Sequence, residues 1–235
     1  PTTDRLTPTQ GVDRMRAEVG TALVVRVKFI RTSVRKVSGA TDKAQACRHG
    51  HTGPVLILLP PSEKKSPTPG PAIEVYTGVL YAALGWNTLT AAQKKLAQSS
   101  LVIISAKYGA LRPLDPIEPY KEKINNELMR PIVGATLNSV STELIIDCRS
   151  STYQTVWPSP IEKTVEIKVF TKVDGEKKVI THMSKKTRGE VTRHILLSGK
   201  VVKTPAQLHE IVSQEFTCTL IEPIDQEPWV LEVFC

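Results

Sequence analysis

Three uninterrupted apolar runs constrain this chain more than any other feature. They are Val55-Leu56-Ile57-Leu58-Leu59, Leu101-Val102-Ile103-Ile104 and Leu144-Ile145-Ile146, the last continuing into Asp147-Cys148. A run without polar alternation has no solvent face. It suits a strand covered on both sides, as in a parallel sheet with helices above and below. Pro60-Pro61 stops the first run, and polar loops succeed the other two. Between the runs, residues 73–84 read as helical towards their end. Residues 90–98 read as a short helix with Thr88 or Thr90 as its cap. Residues 66–71 (SPTPGP) read as a connector. Residues 165–170 and 178–183 alternate around Asp174-Gly175, the pattern of a hairpin. Residues 187–197 predict a helix, Thr204-Pro205 opens another, and Leu220 with residues 229–234 gives a last strand region. Strands alternating with helices predict a mixed α/β (α+β) fold. We expect a single compact domain over residues 54–235 with a central mixed sheet, preceded by a basic extension over residues 1–53.

The 235 residues leave room for one large domain, or one domain plus an extension. No stretch of about 18 apolar residues exists, which excludes a membrane-spanning helix. The N-terminal residues lack a basic segment leading into an apolar run and a small-residue cleavage site, so a cytoplasmic protein is expected. Cys47, Cys148, Cys218 and Cys235 show no paired spacing and read as separate thiols in a reducing compartment. The five histidines are scattered and predict no metal site, and nothing in the motifs calls for a cofactor.

The net charge of +8 is uneven. Residues 1–50 hold 10 Lys/Arg against 4 Asp/Glu, and residues 172–203 hold 9 against 3. The remaining body is mildly acidic. Localised basic segments attract phosphate-bearing partners, although lysines that merely solvate a surface give the same count. Within the extension, residues 22–30 alternate as a half-buried strand does.

Three segments carry chemistry. The first leaves the strand ending at Ile104 and runs to Tyr120. Gly109 permits a bend, and Pro113, Pro116 and Pro119 stiffen the rest of the loop, so Lys107, Arg112, Asp115 and Tyr120 are presented in fixed positions. Ligand crevices in open α/β sheets lie beyond the carboxyl ends of strands. Either these side chains line such a crevice or Arg112 and Asp115 pair to brace the loop. The second segment is Asp147-Cys148-Arg149-Ser150-Ser151-Thr152-Tyr153. Arg149 could grip a phosphate or base edge, and Tyr153 could stack on a base. Alternatively, Asp147 and Arg149 form a buried pair and Tyr153 belongs to the core. The third, residues 183–194, places Lys185, Lys186 and Arg188 at a strand-to-helix junction able to hold an anion. No P-loop spacing accompanies it, so nucleotide hydrolysis has no support. Cys148 beside Arg149 is either a lowered-pKa thiol or core filling.

Five blocks stand in order: PPSEK (60–64), YTGVLY (76–81), AKYGALRPLDPIEPYK (106–121), IDCRSSTYQTVW (146–157) and SKKTRGEVTRHIL (184–196). Together they resemble the YaaA family of peroxide stress proteins over residues 54–235. The resemblance implies a cytoplasmic mixed α/β protein that binds DNA through a basic cleft and helps limit iron-driven damage under hydrogen peroxide. It implies no established reaction. Ser62, Lys64, Tyr76, Gly78, Tyr108, Gly109, Arg112, Asp115, Tyr120, Arg149, Tyr153, Lys185, Lys186, Arg188 and Gly189 match family positions. Departures accompany the likeness. Only residues 65–75 join the first two blocks, where family members carry a longer helical stretch associated with DNA binding. The segment after Tyr120 is also short, and residues 1–53 have no recognised counterpart.

A DNA-binding stress protein is thus the leading expectation. The alternative is an enzyme acting on a nucleobase or nucleotide in the same cleft. There Asp115 or Asp147 would be acid/base, Lys107 or Arg149 an electrostatic stabiliser, and Tyr120 or Tyr153 a stacking platform.

Overall fold

A computed structural model describes residues 53–173 and 176–235. The strand expected over residues 22–30, the basic extension up to residue 52 and the turn Asp174-Gly175 lie outside the described residues.

The three apolar runs form adjacent parallel strands. Strand β1 (Val55–Leu59) lies between β3 (Leu101–Ser105) and β6 (Leu144–Asp147), with Leu58 opposite both Val102 and Asp147. Leu56, Ile57, Leu58 and Leu59 are fully buried, and each such side chain contributes about 1.5–3 kcal/mol when withdrawn from water. β1 has two faces to cover. Ile57 and Leu59 pack with α1 (Ala72–Val75), α2 (Val79–Leu84), α6 (Thr181–Ser198) and α7 (Pro205–Val212). Leu56 and Leu58 pack with Met129, Val133 and Leu137 of α4 (Asn126–Leu137), and with Val156 and Trp157. The result is a sheet between two helical layers, the arrangement that unbroken apolar strands require.

The sheet grows outward from this centre. β4 (Gly109–Leu111) is antiparallel to β3 at one edge. On the other side β7 (Thr164–Val173) and β10 (Trp229–Phe234) continue in parallel, and β9 (Thr217–Ile221) closes the edge antiparallel to β10. β8 (Glu176–Lys178) pairs back on β7, so the order is β4-β3-β1-β6-β7-β10-β9 with β8 appended. Two short strands, β2 (Gly70–Pro71) and β5 (Pro116–Ile117), form a separate ladder. Helix α3 (Ala91–Ser100) begins on a capping box, in which the Thr90 hydroxyl accepts from Gln93 N–H and the Gln93 side chain accepts from Thr90 N–H. One short helix, α5 (Ser151–Gln154), comes after β6.

Two expectations differ from this structure. The hairpin's return arm is three residues long and fully exposed, and Thr181, His182 and Met183 belong to α6 instead. Helix wins there because Ser184, Thr187, Val191 and Ile195, spaced by three or four, bury one continuous stripe that a strand could not. Helix α4 has no forecast at all, and it runs unbroken with Pro131 inside it. Asn125 caps it, accepting from Leu128 N–H, and buried Met129, Val133 and Leu137 hold it to the sheet. Among the described residues no helix is long and apolar enough to cross a membrane.

Candidate functional site

β1, β3 and β6 are parallel, so their carboxyl ends open on the same side. From β1 the chain moves to β3, then crosses to β6 on the far side of β1. In open α/β sheets such a reversal marks where a ligand crevice lies, here between the loops that leave β1 and β6.

Aromatic residues gather there. The chain has five tyrosines, of which Tyr76, Tyr81, Tyr108 and Tyr120 form one series of ring contacts and Tyr153 lies within electrostatic reach of Tyr81 and Tyr120. Tyr76 and Tyr120 lie edge to face at 6.3 Å, Tyr108 and Tyr120 at 5.7 Å, and Tyr76 lies 5.3 Å from Tyr81. Burial pushes the Tyr153 phenol up to about 12, with Tyr120 and Glu63 adding to the effect. Tyr76, Tyr81 and Tyr120 are also raised, first by burial, so each is a neutral hydroxyl at ordinary pH.

The hydroxyls form a chain. Ser105 Oγ accepts from Lys107 N–H (3.2 Å) and Tyr108 N–H (3.1 Å). It shares a hydrogen bond with Tyr120 Oη, 2.8 Å away. Tyr120 Oη also accepts from Ala106 N–H and shares a hydrogen bond with Tyr76 Oη at 2.8 Å. Tyr76 is the outer end of the series. Tyr81 instead donates to Pro60 O at 2.7 Å, which ties α2 to the end of β1.

Charged side chains rim this floor. Lys65 Nζ stands 4.0 Å over the Tyr120 ring centroid and 5.7 Å from that of Tyr76. Burial lowers its pKa, while Glu122 and Glu63 act in the opposite sense. Lys107 pairs with Glu122 at 3.3 Å and lies 5.5 Å from the Tyr108 ring centroid. Lys185 reaches Glu63 at 4.0 Å. Lys107, Glu122, Lys65, Glu63 and Lys185 thus succeed one another around the rim, and exposed Lys64 adjoins it. Ser62 is buried, with its Oγ against Gly78, where an added Cβ would lie 2.1 Å from it.

The other forecast residues serve the scaffold around the crevice. Of the two readings open for Asp147 and Arg149, the geometry is that of the buried pair, each 1% exposed. Arg149 Nε and Nη2 donate to the two Asp147 oxygens at 2.9 and 2.7 Å, and Nη1 donates to the carbonyls of Tyr153 and Trp157. Arg149 thereby clips the loop after β6 rather than facing a ligand, and the Asp147 carboxylate is closed to acid/base work. Asp115 Oδ2 accepts from Arg112 N–H at 2.7 Å, and Asp115 O accepts from Ala72 N–H. Asp115 thereby braces the loop on the Arg112 backbone and holds it against α1. Lys186 pairs with Glu190 along α6 at 2.7 Å, and Arg188 Nε donates to Ile167 O of β7 at 3.4 Å.

The basic run over residues 172–203 divides. Lys172 and Lys177 stand over Phe234 at the β7–β10 surface, and Arg193 grips the end of α2 through Leu84 O, Gly85 O and Thr88 Oγ1. Only Lys185, Lys186 and Arg188 mark the start of α6. Among the described residues, no three His, Cys, Asp or Glu side chains gather as a metal site would need. Ser105, Tyr81, Lys65, Glu63 and Glu122 join the site without any chemical signal of their own in the sequence. Their one common mark is a place in or beside the PPSEK, YTGVLY and AKYGALRPLDPIEPYK blocks.

Cys148 is core filling. Burial pushes its thiol up to about 12, and its only described side-chain neighbour in hydrogen-bond range is Thr192 at 3.8 Å. We expect alkylation at pH 8 to label exposed Cys235 in the folded protein and Cys148 only in denaturant, as read by peptide mass mapping. Rapid labelling of Cys148 in the native state would refute this. Because the folded value lies above the unfolded one, the proton is held more tightly in the native state. The thiol's contribution is intact below an ordinary thiol pKa of about 8.5 and falls as pH climbs past it.

A family model described as peroxide stress protein YaaA matches residues 59–219, well over half of the chain. The chain belongs to the YaaA family. Among curated relatives, a UPF0246 protein of Streptomyces coelicolor is 32% identical over 153 residues, 60% of this chain and 58% of that protein. One from Corynebacterium efficiens is 34% identical over 153 residues, 60% of each. One from Shewanella woodyi is 30% identical over 142 residues, 53% of this chain and 56% of that protein. The chain thus spans about 60% of the length of the curated relatives it matches. The YaaA match covers every element of the crevice, from the end of β1 through α6.

Proposed function

We propose that this YaaA-family chain acts in the cytoplasmic response to hydrogen peroxide by binding DNA at the strand-end crevice, where it limits iron-driven damage to the bound strand. The observation that carries the reading is the set of lysines around the tyrosine floor. Lys64, Lys65, Lys107 and Lys185 offer cations to a phosphate backbone, and half-buried Tyr108 and Tyr153 offer ring surface to a base. Lysines beside aromatic rings are what a single strand requires, because each base has a stacking face and each phosphate a charge. Glu63 and Glu122 moderate the positive potential, so affinity is expected to be modest. The family's association with peroxide supports the stress role. The enzyme reading loses support because Asp147 is closed off by Arg149.

Fluorescence anisotropy with a labelled single-stranded oligonucleotide tests it. Four phosphate contacts predict an affinity loss of about fiftyfold between about 50 and 200 mM salt. Lys107→Glu together with Lys185→Glu should abolish most of the binding and flatten that slope. Salt-independent binding, or binding indifferent to the double variant, would overturn the reading.

A further inference from the structure

We infer that the open face of β8, β7, β10 and β9 carries single-stranded nucleic acid onward from the crevice, with Phe170 and Phe234 as its stacking surfaces. The inference rests on the crevice being a nucleic-acid site and extends the path of the strand beyond it. Three observations carry it.

The first is a missing layer. Val165, Ile167 and Val169 of β7, with Leu231 and Val233 of β10, pack on the side covered by α6 and α7. The strand register puts the alternate residues on the other side, in line with Ile145 and Asp147 of β6. There the apolar cluster built on α4 takes in residues of β1, β3, β4 and β6, and none of β7, β9 or β10. Among the described residues the second helical layer therefore stops at β6, and the sheet beyond it is bare on that face.

The second is what the bare face shows. Phe170 stands opposite Phe234 in the ladder, both half-buried, with ring centroids 6.2 Å apart. A sheet face turned to water carries polar residues, as exposed Thr217 and Thr219 of β9 do here, so two adjacent phenylalanines call for a partner. Lys172 and Lys177 face each other across β7 and β8, and their ammonium groups lie 5.3 and 5.4 Å from the Phe234 ring centroid. Lys177 pairs with Glu232 and Lys168 with Glu166, whereas Lys172 has no ion pair among the described residues. Rings offer a stacking face to any base, and lysines beside them meet its phosphate. The same lysines repel a second copy of this face, so charge favours the polyanion.

The third is continuity. β7 is parallel to β6 and runs on from Glu166, level with Asp147, to Val173, about 23 Å farther. Its far half thus rises on the side where the crevice opens. Tyr153, in the loop after β6, packs on the α4 side of the sheet, the side that is bare at β7. A strand leaving Tyr153 meets β7 next.

Fluorescence anisotropy of the full chain with labelled single strands of about 5 and about 15 nucleotides tests this, the first being short enough for the crevice alone. We expect the longer strand to bind about tenfold tighter, as one or two added stacked bases would give. Phe170→Leu and, separately, Lys172→Gln should each remove most of that gain and leave short-strand binding unchanged. Photocrosslinking of a long strand carrying 5-iodouracil should label peptides holding Phe170 or Phe234, a readout that does not depend on the variants folding. No gain with length, or a gain that both variants retain, overturns this face and leaves the crevice reading standing. Long-strand binding that these variants weaken, and that Lys107→Glu with Lys185→Glu leaves intact, upholds the face and overturns the crevice reading. Absence of binding by either strand overturns both. Sedimentation that finds a dimer lost in Phe170→Leu would seat a second copy on the face and overturn the inference.

Discussion

Asp147→Ala will lower the folding free energy by about 3–5 kcal/mol, because it leaves the Arg149 guanidinium charged and unpaired in the interior. Both residues are 1% exposed, so water cannot take over the lost contacts. The remaining bonds from Nη1 to the Tyr153 and Trp157 carbonyls satisfy donors but not the charge. Urea denaturation monitored by circular dichroism measures the loss. Replacing both members with apolar residues of similar volume, Asp147→Leu with Arg149→Met, should recover much of it, since a buried pair is costly to break and cheap to exchange. A single-variant loss below about 1 kcal/mol would mean that the pair is not held as described.

Gly189→Ala sets two effects against each other. Alanine favours a helix over glycine by about 1 kcal/mol. Against that, the new methyl would lie 2.1 Å from Leu80 O and 3.0 Å from the Ala83 Cβ. The first neighbour is backbone and cannot rotate away, so α2 and α6 must separate. Overpacking of that kind costs up to about 3 kcal/mol and occasionally more. The clash wins, and we expect a net loss of about 2 kcal/mol, with Gly189→Val worse. A thermal melt of Gly189→Ala at or above the parent would contradict this packing.

Much of the architecture is legible from residue order alone, and the reasons are local. Five unbroken apolar residues at β1 admit one environment, and Thr90 with Gln93 three residues on states a helix start. Where two local signals conflict, the reading fails. Thr181, His182 and Met183 alternate as a strand would, but the buried stripe that decides their state lies downstream. Pro131 conceals α4 because a helix breaker outweighs three apolar residues until the sheet face they cover is known. At the crevice, motif residues point to the right loops but not to their tasks. Arg149 and Asp115 look like ligand-facing charges until their partners are placed, because whether a charge points in or out depends on neighbours remote in sequence. Ser105 has the converse history: an ordinary serine in the chain, it becomes the origin of the hydroxyl series only once Tyr120 folds back onto it.

The gathering of phenols at the strand ends has a practical consequence. Of the three tryptophans, Trp86 lies in the turn after α2 and Trp229 at the start of β10, while Trp157 lies beside α5, its carbonyl on the same Arg149 Nη1 as that of Tyr153. In near-ultraviolet difference spectra, tyrosine bands therefore report on the strand-end loops, and a Trp157→Phe background leaves the indole bands to Trp86 and Trp229 in the scaffold.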